Sequence, residues 1–365
     1  MTSATHAHAT EGPRAPRISP HLVFDRAPRR VYWEVTRACS LACRHCRAEA
    51  SPRSDPRELT TAEGFALLDA IASFDEPMPR VILTGGDPLE RRDLFELIAH
   101  ARSLGLGLSV SPSATPRLSE GAVRRLRAAG VEAMSLSIDR AAAEDHDALR
   151  GESGCSERTI AAALAAAAVG LPVQVNTLVA AETVDDLPAL HRLACDLGAA
   201  RWSLFFLVGV GRGTVLQPID AVRAERVLEW LAGLPSGPGL PIVTTTEAPH
   251  FRRIVLQRKH LPVATSARAG FGIRDGNGVL FVSHTGYVSP SGFLPLSAGN
   301  VREADLVEIY RSSPMFISLR DASGFHGRCG VCEYHAVCGG SRARAWSVDG
   351  DVLAEDPLCA HQPGT

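Results

Sequence analysis

Val31-Tyr-Trp-Glu-Val-Thr36-Arg-Ala-Cys39-Ser-Leu-Ala-Cys43-Arg-His-Cys46 is the stretch whose reading decides the fold. Its first six residues form an apolar, β-branched run that predicts a buried strand. Three cysteines follow within eight residues. Thiolates spaced by three and then two residues converge on one metal centre when the loop curls around it. A disulfide reading leaves one of the three unpaired. A structural zinc wants four closed ligands, and only His45 stands nearby, in poor geometry beside Cys46. The spacing favours a three-thiolate iron–sulfur cluster with one iron open to a non-protein ligand, with zinc as the competing reading.

Working outward, strand and helix patterns alternate from residue 31 to about 236. Strands are predicted at Val31–Thr36, Arg80–Thr84, Gly107–Ser111, Ala133–Ile138, Val173–Val179 and Trp202–Val208. Helical patterns lie between them, with Thr60, Ser119 and Asp185 as caps and Gly105, Gly130, Gly170 and Gly198 as stops. Six such units predict an α/β fold, an incomplete (β/α)6 barrel whose chemistry sits at the C-terminal strand ends. Leu234–Pro241 is a Pro/Gly linker, after which residues 237–365 predict a small unit. That unit holds a β-hairpin (Val279–Ser283 and Tyr287–Ser289), a helix near Ala304–Arg311 and a cysteine-rich tail. Residues 1–30, polar and Pro-rich with His6 and His8, are expected to be a disordered leader.

The 365 residues are 45% hydrophobic and 21% charged, with net charge −2. That balance gives no electrostatic signal for nucleic acid or an anionic membrane, and neither partner is expected. No apolar stretch approaches the roughly 20 residues a bilayer requires, so a cytoplasmic protein is expected. Seven of the nine cysteines fall in two tight groups, which favours metal over disulfides.

The second group, Cys329-x2-Cys332-x5-Cys338-x20-Cys359, suits zinc or a closed iron–sulfur cluster equally on spacing alone. Gly85-Gly86-Asp87-Pro88 ends the second strand, where glycines let backbone approach a ligand or simply make a turn. Alternation sends Ser135, Ser137 and Asp139 to one face of the fourth strand. Asn176 on the fifth strand is a similar ligand candidate, and Arg150 could pair a carboxylate or lie on the surface. Gly209-Val-Gly211-Arg-Gly213 lacks the dinucleotide spacing and is expected to line the barrel mouth. Cys155 and Cys195 lie in helical patterns and read as small buried residues.

The Cys-x3-Cys-x2-Cys motif after a first strand resembles the radical SAM superfamily, with His45 where an aromatic residue is more common. The resemblance implies that Cys39, Cys43 and Cys46 hold a [4Fe–4S] cluster whose open iron chelates S-adenosylmethionine. It assigns cofactor contacts to the glycine motif (Gly85, Gly86, Asp87), to Ser135, Ser137 and Asp139, and to Asn176; Arg150 stays a carboxylate candidate. The tail is similar to the auxiliary-cluster region of SPASM or twitch extensions. Four cysteines there imply one further [4Fe–4S] cluster, two in all. A flavodoxin- or ferredoxin-type reductant is the implied electron donor.

Longer strings resemble the haem-synthesis branch: Trp33–Cys39, Ser283–Gly286, Pro290–Pro295, Gly299–Arg302 and Cys338–Arg344. This branch holds the decarboxylating haem synthase of the siroheme pathway and the propionate-processing enzyme of d1-type haem synthesis. The implied activity is oxidative decarboxylation of tetrapyrrole propionates. Arg252, Arg253, Arg342 and Arg344 are expected to pair propionates, His250 or His284 to meet a macrocycle iron, and strand six (Leu204–Leu207) to supply apolar wall. The alternatives are a radical SAM maturase of a short ribosomal peptide and a non-catalytic electron-transfer protein. Against the first, few residues precede strand one, too few for a leader-binding domain. Against the second, an open iron has no use there.

Overall fold

Burial alternates along the first strand, β1 (Arg30–Glu34): Val31 and Trp33 are fully buried, while Arg30 and Tyr32 are not. That two-residue period seats β1 in the middle of a sheet. The computed structural model describes residues 23–263 and 271–364. In it, β1 is followed by β2 (Arg80–Thr84), β3 (Leu108–Val110), β4 (Ala133–Ser137), β5 (Val173–Val179) and β6 (Arg201–Phe206). All six are parallel neighbours in chain order, joined by helical crossovers as the sequence predicts. The first crossover helix, α1 (Thr61–Ala72), has a capping box on Thr60 and Glu63. α3 (Glu120–Ala128) is capped by Ser119. Asp185 is not a cap: it lies inside a 3-10 turn, and α6 (Leu187–Asp196) starts after it.

The sheet runs past the expected boundary at residue 236. β7 (Ile242–Thr246) pairs in parallel with β6, and β8 (Val279–Val282) pairs in parallel with β1 on the opposite flank. β9 (Tyr287–Ser289) and β10 (Gly299–Asn300) complete it antiparallel, giving the open order β10-β9-β8-β1-β2-β3-β4-β5-β6-β7. The expected hairpin is therefore present, but as part of the same sheet. β7 escaped the sequence reading because Ile242-Val-Thr-Thr-Thr246 offers little alternation behind a Pro/Gly linker. A helix between Asp139 and Arg150 was also missed: α4 (Ala143–Arg150), closed by Gly151.

His6 and His8 lie outside the described residues, as does the leader up to residue 22. Its last part is tied down rather than loose. The Phe24 amide donates to Asn277 Oδ1 (3.0 Å) and Arg320 Nη1 donates to the Asp25 carbonyl (3.2 Å). The core packs the sheet against its helices, with Trp33, Leu83, Leu97 and Trp202 fully buried. Burying an indole strands its N–H unless it finds an acceptor, and Trp202 donates to Thr177 Oγ1 at 2.9 Å. Among the described residues, no helix is long and apolar enough to cross a membrane.

Candidate active site

The cysteine loop leaves β1 and folds back on itself. Cys39 N–H donates to the Ser51 carbonyl (2.8 Å) and Ser51 N–H to the Arg37 carbonyl (3.1 Å), closing the arch. Two thiol sulfurs accept backbone N–H groups, Cys39 from Leu41 and Cys46 from Ala50, each at 3.4 Å. The arch is gripped from two sides. On one side, Gly86 N–H donates to Thr36 O (2.8 Å) and Asp87 N–H to Ala38 O (2.7 Å). A Cβ at Gly85 would stand 2.3 Å from Thr36 O, and one at Gly86 would stand 2.4 Å from Ala38 O. The two glycines thus let the cysteine loop, not only a ligand, come close.

On the other side lies a residue that sequence reasoning missed. Arg212 donates through Nε to Cys43 O (2.9 Å), through Nη1 to Ala50 O (3.0 Å) and through its amide to Cys46 O (3.1 Å). Gly211 beside it has φ +54°, and a Cβ there would lie 2.5 Å from Arg47 O. The run 209–213 was expected at the barrel mouth; Val210 does line the cleft, but Gly211 and Arg212 brace the cysteine loop. The only sequence signal was an arginine between glycines at a strand end.

An open cleft sits over the C-terminal strand ends. Cys39, Cys43 and Cys46 open onto it, together with Gly85, Gly86, Ser137, Asp139, Arg150 and Asn176. Two predicted residues do not. Ser135 sits one pleat deeper, level with Gln174, whereas Ser137 is level with Asn176. Asp87 is fully buried and clips two loops, accepting from Leu89 N–H, Ser113 N–H and the Thr115 hydroxyl (2.7 Å). Burial pushes its pKa up to about 6.

Of the two sequence readings of Arg150, pairing a carboxylate or lying on the surface, the fold shows the first. It pairs Asp139, whose other oxygen accepts Leu178 N–H at 2.7 Å. Burial works against the Asp139 carboxylate, but Arg150, His45 and His146 outweigh it and hold the pKa down to about 2. Arg150 Nη1 also lies 3.9 Å from Cys43 Sγ. Burial pushes the Cys39 thiol up to about 11 and raises Cys43 as well, against the pull of Arg150. Buried thiols of this kind become thiolates when a metal cation takes the place of their protons. Burial lowers the His45 pKa to about 4, leaving a neutral ring in the cleft wall.

The remaining wall is apolar, lined by Phe205, Phe206, Leu207, Val208 and Phe293. The Phe205 and Phe293 rings are 6.2 Å apart. Leu204 is fully buried and is not among the residues lining the cleft. Cys155, read from sequence as a buried residue inside a helix, is buried but opens α5 (Cys155–Ala168) at the edge of the cleft.

The second cysteine group also converges. Cys329, Cys332, Cys338 and Cys359 line a second, smaller cavity. Gly340 N–H donates to Cys338 Sγ (3.5 Å), Tyr334 N–H to Cys332 Sγ (3.4 Å) and Arg342 Nη2 to Cys329 Sγ (3.7 Å). Burial first, and then Cys359 and Cys329, raise Cys338. Burial, and then Glu333, Cys359 and Cys329, bring Cys332 to about 11. Four thiolates this close would repel one another, and a shared cation relieves that repulsion, so the donor set fits a metal centre. His361, which sequence reasoning missed, lines the same cavity, and its ligand atom clusters with those of Cys332 and Glu333 within 4.8 Å.

The four arginines expected to meet propionates are used in building this region, and none lines the cleft. Arg252 donates to the Val337 and Ile273 carbonyls, and Arg253 to Glu225 and Gln257. Arg342 donates to the Val352 and Ala354 carbonyls, and Arg344 to Asp356. His250 is fully buried 3.9 Å from Asp356, and His284 is held between Glu34 (2.8 Å) and Asp55 (3.6 Å). Neither histidine faces the cleft. Backbone carbonyls of a loop-rich segment need donors, and buried arginines supply several each.

This combination, a three-cysteine loop over the C-terminal ends of an open parallel sheet, is that of an iron–sulfur radical enzyme, and the Radical SAM superfamily pattern matches residues 33–194. The chain belongs to the radical SAM superfamily, which implies S-adenosylmethionine and a [4Fe–4S] cluster. Within it, the chain is 40% identical to the AdoMet-dependent heme synthase of Oleidesulfovibrio alaskensis, over 100% of this chain and 98% of the relative. It is 33% identical to the pre-heme d1 synthase of Dinoroseobacter shibae, over 90% and 85%. Among solved structures, Streptococcus suis SuiB bound to precursor peptide SuiA shares the fold, with TM-score 0.73 and 16% identity over 93% of this chain and 77% of that one.

Proposed function

We propose that this enzyme is a haem synthase that oxidatively decarboxylates propionate side chains of an iron tetrapyrrole. The observation that carries it is the near full-length 40% identity to an AdoMet-dependent heme synthase, set on a cleft with an extended aromatic wall. Cys39, Cys43 and Cys46 would hold one [4Fe–4S] cluster. Gly85, Gly86, Ser137, Asp139 and Asn176 would shape the S-adenosylmethionine pocket, with Arg150 fixing Asp139. When bound, this cluster and S-adenosylmethionine supply one-electron sulfonium cleavage and a hydrogen-abstracting 5′-deoxyadenosyl group.

The chain's own contribution is position and exclusion. Arg212 and Gly86 fix the cysteine loop, while Phe205, Phe206 and Phe293 cover the reacting side chain and keep water away. Abstraction of one hydrogen from the propionate, loss of CO2 and departure of one electron leave a vinyl group. Cys329, Cys332, Cys338 and Cys359 would hold a second [4Fe–4S] cluster, which would supply an acceptor for this electron. A flavodoxin- or ferredoxin-type protein would serve as reductant, in the cytoplasm.

The test is spectral titration of the anaerobic, reconstituted enzyme with propionate-bearing iron porphyrins, followed by mass spectrometry after turnover. Binding at micromolar or better affinity, roughly −8 kcal/mol, is expected, with loss of one CO2 and two hydrogens per event. No binding across several propionate porphyrins would overturn the tetrapyrrole reading in favour of a peptide substrate.

A further inference from the structure

With Arg252, Arg253, Arg342 and Arg344 spent on carbonyls and carboxylates elsewhere, two guanidinium groups line the cleft among the described residues, Arg150 and Arg47. Arg150 is committed to Asp139. Arg47 is not fully committed. Its Nη1 donates to Glu34 Oε2 at 3.1 Å, and its Nε and Nη2 have no hydrogen-bond partner among the described residues. The side chain keeps 20% of its surface exposed.

The unpaired edge is held in a fixed plane. Glu34 behind it is buried and is itself fixed by His284 Nδ1 at 2.8 Å. The Phe281 ring lies 4.7 Å from the guanidinium carbon. Gly292 packs close beside it, where a Cβ would come within 3.0 Å of both Cζ and Nε. A guanidinium braced in this way loses little rotamer entropy when it takes a second carboxylate, and its fork matches one bidentately. Arg47 also directly follows Cys46, so a carboxylate gripped there sits beside the cysteine loop.

We infer that Arg47 is the anchor for a substrate carboxylate, holding one propionate while the macrocycle lies against Phe205 and Phe293. The inference rests on the haem-synthase reading. A carboxylate at Arg47 has two possible sources, the substrate and S-adenosylmethionine. The apolar setting of Phe281 and Phe293 favours the substrate, because the carboxylate of S-adenosylmethionine is expected on the open iron.

The experiment compares iron deuteroporphyrin with its dimethyl ester, titrated by Soret absorbance into the reconstituted wild type, Arg47→Met and Arg47→Lys. The wild type should prefer the acid by about 10- to 100-fold, the range expected for a charge-assisted bidentate contact. R47M should bind acid and ester alike, and R47K, with a point charge but no fork, should fall between. Iron content on each variant reports whether it has folded around its clusters. A full acid preference in R47M or R47K overturns the anchor. So does a weakened affinity for S-adenosylmethionine in R47M with the acid preference intact, which assigns Arg47 to the cofactor. Equal binding of acid and ester by the wild type removes the anchor but leaves the tetrapyrrole reading standing. Binding of neither removes both.

Discussion

Gly86→Ala adds one methyl group where the cysteine loop has no room for it. Its Cβ would lie 2.4 Å from Ala38 O, 2.6 Å from Arg37 O and 2.8 Å from Ala38 C, all backbone atoms that cannot rotate away. To reach the closest approach that real Cβ atoms show, about 3.0 Å, either the second strand's exit or the loop carrying Cys39 must move. The same movement strains the amides that Gly86 and Asp87 donate to Thr36 O and Ala38 O at 2.8 and 2.7 Å. Overpacking of this kind costs about 1–3 kcal/mol, and a displacement on the order of 1 Å at a reacting centre costs about 100-fold in rate. The assay is iron content with reductive cleavage of S-adenosylmethionine, measured as 5′-deoxyadenosine. G86A is expected to fall towards about four irons per chain, keeping the C-terminal cluster, with cleavage down by roughly 100-fold. Gly121→Ala, whose Cβ would meet only Ser119 Oγ at 3.7 Å on a helix surface, is the matched control. A G86A protein with wild-type iron and wild-type cleavage would refute the reasoning, because the loop would then have yielded without consequence.

Replacing Cys39, Cys43 and Cys46 together by Ala should leave about four of about eight irons and abolish cleavage; eight remaining irons, or zinc at the C-terminal cysteines of anaerobic protein, contradicts the two-cluster reading. The buried imidazoles make stability depend on pH. Burial lowers the pKa of His146 and His250 to about 4, from 6.5 in the free group. Their stabilisation is therefore complete above about pH 6.5 and is lost as the pH falls towards 4, because the unfolded chain binds protons that the folded one refuses. Each contributes about 1.4 kcal/mol per pH unit across that window. Urea melts at pH 7, 6 and 5 should show the decline, and His250→Phe should make it shallower; a midpoint that does not move with pH would rule this out.

The sequence alone determined whatever depends on neighbours along the chain. Cysteine spacing specified a three-ligand loop, since residues a few positions apart reach the same centre wherever the loop sits. Two-residue and helical periodicity, with caps such as Thr60 and Ser119, placed the first six strands and their crossovers. Only the tertiary structure decided which distant groups meet. The β7 and β8 strands join opposite flanks of one sheet because backbone hydrogen bonding seeks any free edge, and no local period announces which. Arg212 meets Cys43 across 169 residues, and His284 meets Glu34 across 250. Arginines that read from sequence as propionate anchors were claimed by backbone carbonyls and by the carboxylates of Glu225 and Asp356, while Arg47, unmarked in sequence, kept an edge open to the cleft. An arginine's type fixes what it can bind; the burial and partners set by folding fix what is left for it to bind.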